Sequence, residues 1–402
     1  MAYEKPDSPF TPGRPVPAEF FVGRKEQVNE ILRYIASSVR SEHLESILIY
    51  GDRGIGKSSL AICVSELADR KYDIVPVHIS LAGTTELLDT LQTIIIQTIK
   101  KIGKSRWFEK VESAFGKHIK KVGLWGFEVE VNIGKKELLS SVNNFDMPLK
   151  SICEKIANAG KKGLVLVLDD INGLVDKSDF ANWYKGFSDG MAINRTKLPV
   201  SIIMITTKTQ RERLCELQPS LMRIFRPAKV ERLSDKEVGN FFPRIFTELG
   251  MHLDNEALSL MTDFSSGLPI MMQEIGDAVF WFDNDGKISH DDAANGVLNA
   301  ADKVGEKYLT PTVFNALKSE KYRSILRLFG RMRIGTHFTK SEIEEHLNEK
   351  EKKVLHNFLS KMKKLEVIQS DFEGGLGTYQ FTNELYHLYI MIEADRHEKK
   401  KR

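Results

Sequence analysis

The most constraining feature of the chain is a strand, a glycine-rich turn and a helix written consecutively over residues 46–59, SILIYGDRGIGKSS. The first five residues read as a short buried strand, and Ser59–Arg70 reads as the helix that follows. Between them, Gly51, Gly54 and Gly56 let the backbone turn several N–H groups inward at a helix N-terminus, a geometry that receives phosphate oxygens. The segment Gly51-Asp52-Arg53-Gly54-Ile55-Gly56-Lys57-Ser58 has the P-loop spacing and, with Ser59, forms a candidate phosphate cradle. Lys57 adds a point charge for the β- and γ-phosphates, and the Ser58 hydroxyl suits Mg²⁺. The expected ligands are ATP and Mg²⁺. A glycine turn without a ligand is the bland alternative, and the strand before and helix after weigh against it.

A second constraint lies at Gly163–Asp170, GLVLVLDD. A continuous Leu/Val run marks a central strand of a parallel sheet covered on both faces, and carboxylates at its carboxyl end lie where such sheets bind ligands. Asp169 is the candidate Mg²⁺ holder, and Asp170 the candidate that orients or deprotonates an attacking water. A further strand, Val200–Ile205, is expected beside the P-loop strand, pointing Thr206 or Thr207 towards a γ-phosphate. Ile74–Leu81 reads as another buried strand, Thr85–Ile102 as an amphipathic helix, and Ala228–Leu233 as a short fifth strand. Arg223 and Arg226 are candidates for a trans-acting arginine finger in a homo-oligomer, and ordinary surface arginines are the alternative. The expected fold is an α/β P-loop NTPase with a three-layer parallel sheet, a helical lid and a C-terminal winged-helix domain.

The chain has 402 residues, enough for several domains, and its 42% hydrophobic and 28% charged residues are those of an ordinary globular protein. No apolar run approaches bilayer length, no signal-peptide pattern opens the chain, and three scattered cysteines suggest reduced thiols, so a cytoplasmic location without membrane contact is expected. No Cys/His cluster has zinc spacing, no histidine pairing suggests a triad, and no solenoid repeat is visible. Five prolines make residues 1–19 an extended leader. The ATPase core is expected over 20–233, with an insertion at about 103–150 that contains Trp107, Trp125 and a half-buried strand over Phe127–Ile133.

Beyond Leu233 the pattern becomes purely helical, and residues 234–312 are expected to form the lid. Residues 313–395 then carry three helices, Tyr322–Met332, Lys340–Leu347 with Thr339 and Glu342 as a capping box, and Glu349–Leu365. Two strands, Val367–Asp371 and Thr378–Phe381, complete a winged-helix pattern. Its third helix presents Lys350, Lys352, Lys353, Lys361, Lys363 and Lys364 as phosphate partners. Residues 318–402 hold 18 Lys+Arg against 13 Asp+Glu, so DNA contact is expected here, with protein contact as the alternative. The basic tail at 396–402 is expected to be disordered.

Taken together, FVGR at Phe21–Arg24, the P-loop, LVLVLDD, Thr206-Thr207-Lys208, Gly267-Leu268-Pro269 and the winged-helix pattern resemble the STAND and origin-initiator branches of AAA+ ATPases, over roughly residues 20–395. The resemblance implies that Val22, Gly23 and Arg24 lie on the adenine side and that Pro269 contacts the nucleotide. Lys208 stands where the NB-ARC pattern has Arg. The implied activity is a slowly hydrolysing ATP switch whose winged helix contacts DNA or a protein. Two alternatives stay open: a replication-initiator or transposition-regulator ATPase that assembles on DNA, and a non-catalytic, nucleotide-locked adaptor.

Overall fold

The computed structural model describes residues 5–103, 145–333, 337–371, 375 and 377–400. The expected strand over Phe127–Ile133, together with Trp107 and Trp125, lies outside the described residues. The chain divides into two units, one comprising Pro15–Glu231 and the other Met1–Arg14 with Arg232–Arg402.

The unit Pro15–Glu231 is built on five parallel strands: β1 (Glu45–Tyr50), β2 (Ile74–Ser80), β3 (Gly163–Asp169), β4 (Val200–Thr206) and β5 (Arg226–Lys229). Their spatial order is β2-β3-β4-β1-β5. The strand carrying the carboxylates and the strand that runs into the P-loop therefore flank β4, which pairs with both in parallel register. This is the α/β arrangement expected of a P-loop sheet, with β4 beside β1. Leu, Ile and Val suit it because both faces are covered. Leu48, Val77, Ile79, Leu164, Leu166, Ile202 and Met204 pack against α3 (Leu87–Gly103), α4 (Asp146–Asn158) and α5 (Ser178–Ile193). On β3 and β4 the intervening Val165, Val167, Ile203 and Ile205 are equally buried. That side belongs to α1 (Lys25–Arg40) and α2 (Lys57–Tyr72), which pack on each other and on the sheet. A 3₁₀ turn, Ile171–Asp176, leaves β3, and α6 (Lys208–Leu217) leaves β4.

The fifth strand corrects the expectation of Ala228–Leu233. It runs over Arg226–Lys229 at the sheet edge, where only Ala228 of the four residues is buried, so hydrophobicity marks it poorly.

The second unit begins with α7 (Asp235–Glu248), whose N-terminus is closed by a Ser234–Glu237 capping box. Helices α8 (Asn255–Ser265), α9 (Pro269–Phe282) and α10 (His290–Val304) follow, then a π-helical segment, Gly305–Phe314. The stretch expected to be helical throughout also contains a two-residue parallel pair, β6 (His252–Leu253) with β7 (Lys287–Ile288). Residues 5–14 belong to this unit as well. Phe10 is buried against Phe241 and Phe246, and Lys5 pairs with the fully buried Asp283.

The C-terminal portion comprises α11 (Glu320–Phe329), β8 (Phe338–Thr339), α12 (Lys340–Glu345), α13 (Glu349–Lys364), β9 (Ile368–Ser370), β10 (Thr378–Phe381) and α14 (Glu384–Lys399). Instead of a two-stranded wing, β8 adds to β10 and makes an antiparallel sheet of order β8-β10-β9. Two residues, Phe338 and Thr339, carry too short a pattern to be read as a strand in sequence. The expected Thr339–Glu342 capping box is present. The tail expectation is overturned for Arg396–Lys399, which form the last turn of α14. Tyr389 and Ile390 of that helix are buried in the same core as Phe329, Phe338 and Phe358.

Candidate active site

The P-loop spans the gap between the end of β1 at Tyr50 and the start of α2 at Lys57. Gly56 caps α2 with φ 87°, in the left-handed region that a side-chain-bearing residue adopts only under strain. Gly51 is required for a different reason: a Cβ there would lie 2.5 Å from the carbonyl oxygen of Val230. Lys57 Nζ donates to the carbonyl oxygens of Gly51 at 2.9 Å and Asp52 at 2.7 Å. Burial holds the Lys57 ammonium below the ordinary lysine value, opposed by the negative charges of Asp52, Asp169 and Asp170. Its charge environment thus already contains both carboxylates from β3.

Residues around the loop are tied to it in ways that the motif does not specify. Arg24, with φ 54°, is buried, and its Nη2 donates to the carbonyl of Ile55 at 2.6 Å and of Glu231 at 3.1 Å. The guanidinium therefore holds P-loop backbone, with Val22 and Gly23 half-exposed before it. Asp52 and Arg53 are exposed, and Asp52 Oδ2 pairs with Lys208 Nζ at 2.8 Å. Gly54 and Ser58 are half-exposed, whereas Ile55 is buried. Ser59 Oγ accepts from the backbone N–H of Val16 at 3.1 Å.

At the end of β3, Asp169 Oδ2 lies 2.9 Å from His78 Nε2 on the neighbouring β2. An ionised carboxylate only accepts, so the imidazole carries its proton on Nε2. Asp170 follows with φ 62° and ψ 63°, a left-handed conformation for a non-glycine residue. Asn172, two residues on, donates from Nδ2 to Asp170 Oδ1. Its Oδ1 accepts from Thr206 Oγ1 at 3.0 Å and from the Thr207 N–H at 3.3 Å. Thr206 is buried at the end of β4, and Thr207 caps α6 by accepting from Gln210 N. One asparagine thus joins the two expected threonines to the expected base.

The P-loop, Lys57, Ser58, Asp169, Asp170, Thr206 and Thr207 all belong to the unit Pro15–Glu231 and lie at the carboxyl ends of β1, β3 and β4, three adjacent strands. Arg223 is exposed at the end of a 3₁₀ turn, Pro219–Arg223. Arg226 is partly engaged within its own unit, at 3.3 Å from the buried Glu45 and over the Tyr34 ring. Pro269 opens α9 in the other unit. Ser58 and Asp169 offer a hydroxyl and a carboxylate, hard oxygen donors that fit Mg²⁺. No group of three or more His, Cys, Asp or Glu residues suited to a metal occurs among the described residues. The remaining ligands of Mg²⁺ would then be phosphate oxygens and water.

Sequence reasoning missed His78 and Asn172. A histidine facing a strand-end carboxylate is detectable only once strands Ile74–Ser80 and Gly163–Asp169 are known to be neighbours. Asn172 gives no periodic signal, because it sits in an irregular turn.

Residues 21–183 match the model of the AAA ATPase domain. No curated protein matches the chain in sequence. Among solved structures, the chain is similar to the Walker-type ATPase PABY2304 of Pyrococcus abyssi, with 16% identity, a TM-score of 0.56, and coverage of 94% of this chain and 98% of that one. It is also similar to the Aeropyrum pernix ORC2 protein in ADPNP-ADP complexes, with 14% identity, a TM-score of 0.58, and coverage of 98% and 97%. At these identities the likeness is one of fold.

Proposed function

We propose that the chain binds ATP with Mg²⁺ and hydrolyses it slowly, as a switch whose nucleotide state governs what its C-terminal portion contacts. The observation that carries this reading is the convergence of Lys57, Asp169, Asp170 and Thr206 at the carboxyl ends of adjacent strands, after a P-loop with a left-handed Gly56. The AAA ATPase domain match over residues 21–183 and the solved Walker-type ATPase of similar fold support it.

In this reading the P-loop N–H groups and Lys57 hold the phosphates, and Ser58 and Asp169 hold Mg²⁺. The ion, when bound, neutralises charge on the β- and γ-phosphate oxygens. Asp170 receives a proton from the attacking water. An aspartate reaches one methylene less far than the glutamate more usual there, so turnover below about 1 s⁻¹ is expected, at the low end for enzymes. Arg223 is the better remaining candidate for a trans finger, because Arg226 already faces Glu45.

For the output, α13 carries one buried stripe, Leu355, Phe358, Leu359 and Met362, and one exposed stripe that includes Lys350, Lys353, Asn357 and Lys364. This supports reading residues 313–395 as a winged helix that contacts DNA phosphates. The initiator-like reading is favoured to the extent that the A. pernix ORC2 protein shares the fold. The test is ATP turnover by the intact chain, together with duplex DNA binding in ATP, ADP and no nucleotide across a salt series. Turnover with nucleotide-dependent DNA affinity supports the switch. Nucleotide retention without turnover or DNA binding supports an adaptor instead.

A further inference from the structure

Asn172 bridges the expected base, Asp170, and the threonines that end β4. Its amide orientation is dictated by its partners. The Thr207 N–H can only donate, so the amide oxygen faces it, and the Asp170 carboxylate can only accept, so the NH₂ faces it. The Thr206 hydroxyl, bonded to the same amide oxygen, must spend its proton there. The bridge is anchored at both ends: Ile171, Leu174 and Val175 bury the turn, and Thr206 is buried at the end of β4, which pairs with β3 up to Leu168 and Met204.

We infer that Asn172 is a positioning residue for ATP hydrolysis, which ties Asp170 Oδ1 to the end of β4 and leaves Asp170 Oδ2 to receive the proton of the attacking water. This rests on the ATPase reading above. In the step it serves, the water oxygen forms a bond to the γ-phosphorus while the bond from that phosphorus to the β-γ bridging oxygen breaks. The electron pair leaves with ADP, and the water proton passes to Asp170 Oδ2. The carboxylate torsion is a broad, two-fold rotor. Without a donor on one oxygen, Asp170 would spend much of its time turned away from the water. Small misplacements of a reacting group cost on the order of a hundredfold in rate.

The direct variant, Asn172→Ala, strands a buried hydroxyl and an N–H and is open to a folding defect. Asn172→Asp keeps size and keeps an acceptor for Thr206 and Thr207, and sets a like-charged carboxylate against Asp170 where the donor stood. Its kcat for Mg²⁺-ATP is expected to fall by about 10- to 100-fold, up to the cost of a small misplacement of a reacting group, with KM and thermal midpoint close to wild type. In an Asp170→Asn background, Asn172→Asp is expected to cause no further loss, because it acts through a base no longer present. Wild-type turnover in Asn172→Asp, a rise in KM with kcat unchanged, or additive losses in the double variant would each overturn the inference. Wild-type protein that binds ATP and never turns it over would bring down the ATPase reading and this inference together. Turnover by wild type with Asn172→Asp equal to it would bring down the inference alone.

Discussion

His78 Nε2 lies 2.9 Å from Asp169 Oδ2, across two adjacent parallel strands. The imidazole is partly exposed, and its contact with this carboxylate restrains the rotamer of the residue that would hold Mg²⁺. Partners that orient a metal-binding group typically matter by 10- to 100-fold in metal affinity. We expect His78→Phe, which keeps ring volume and loses the donor, to weaken the Mg²⁺-dependent part of ATP binding by about tenfold. Titration of labelled ATP with and without Mg²⁺ checks this. Affinity without the ion should not change.

The two β3 carboxylates should give different phenotypes. Asp169→Ala is expected to lose the Mg²⁺ dependence of ATP binding. Asp170→Asn is expected to retain binding and slow turnover by tenfold or more, as for removal of a general base. Parallel equilibrium binding and single-turnover measurements separate them. Lys57→Ala should bind ATP at least about a hundredfold more weakly, roughly the 3 kcal/mol of a charge-assisted contact.

His387 makes the second unit sensitive to acid. It is fully buried, stacked on Phe381 at 4.0 Å, and its Nε2 lies 3.2 Å from the Phe329 carbonyl. Burial pushes its pKa down from 6.5 to about 4. Between those values the unfolded chain binds a proton that the folded chain refuses, so stability falls as pH drops from 6.5 towards 4. The full effect is about 3 kcal/mol by linkage. Thermal midpoints across this window should fall more steeply for wild type than for His387→Phe.

The lysines of α13 are unequal. Lys363 Nζ donates to Ser370 Oγ at 2.8 Å and lies 5.8 Å from the Tyr379 ring centroid, and Lys352 pairs with Glu349 at 2.9 Å. The exposed Lys350, Lys353 and Lys364 are therefore the ones to replace. If α13 docks on DNA, the triple alanine variant should flatten the slope of log affinity against log salt by about 2–3, with ATP turnover intact. An unchanged slope would assign this helix to protein contact.

The strand, loop and helix around Lys57, the buried run ending in Asp169-Asp170, and the Thr339–Glu342 cap were all legible in the chain, because each is a pattern of residues close together in sequence. Spacing of glycines, runs of β-branched residues and a cap three positions ahead of its glutamate carry their physics in sequence order. Even the placement of β4 beside β1 follows from how such sheets are wound. Tertiary structure alone decided the rest. It turned Arg24 onto the Ile55 carbonyl, set His78 against Asp169, and stretched Asn172 from Asp170 to Thr206. It also recruited Phe338-Thr339 as a third strand and paired Arg396 of α14 with Asp302. Each of these joins residues 31 to 94 positions apart, Asn172–Asp170 excepted. Such pairings depend on strand register and on which irregular turn meets which strand end, and neither leaves a periodic trace in the sequence.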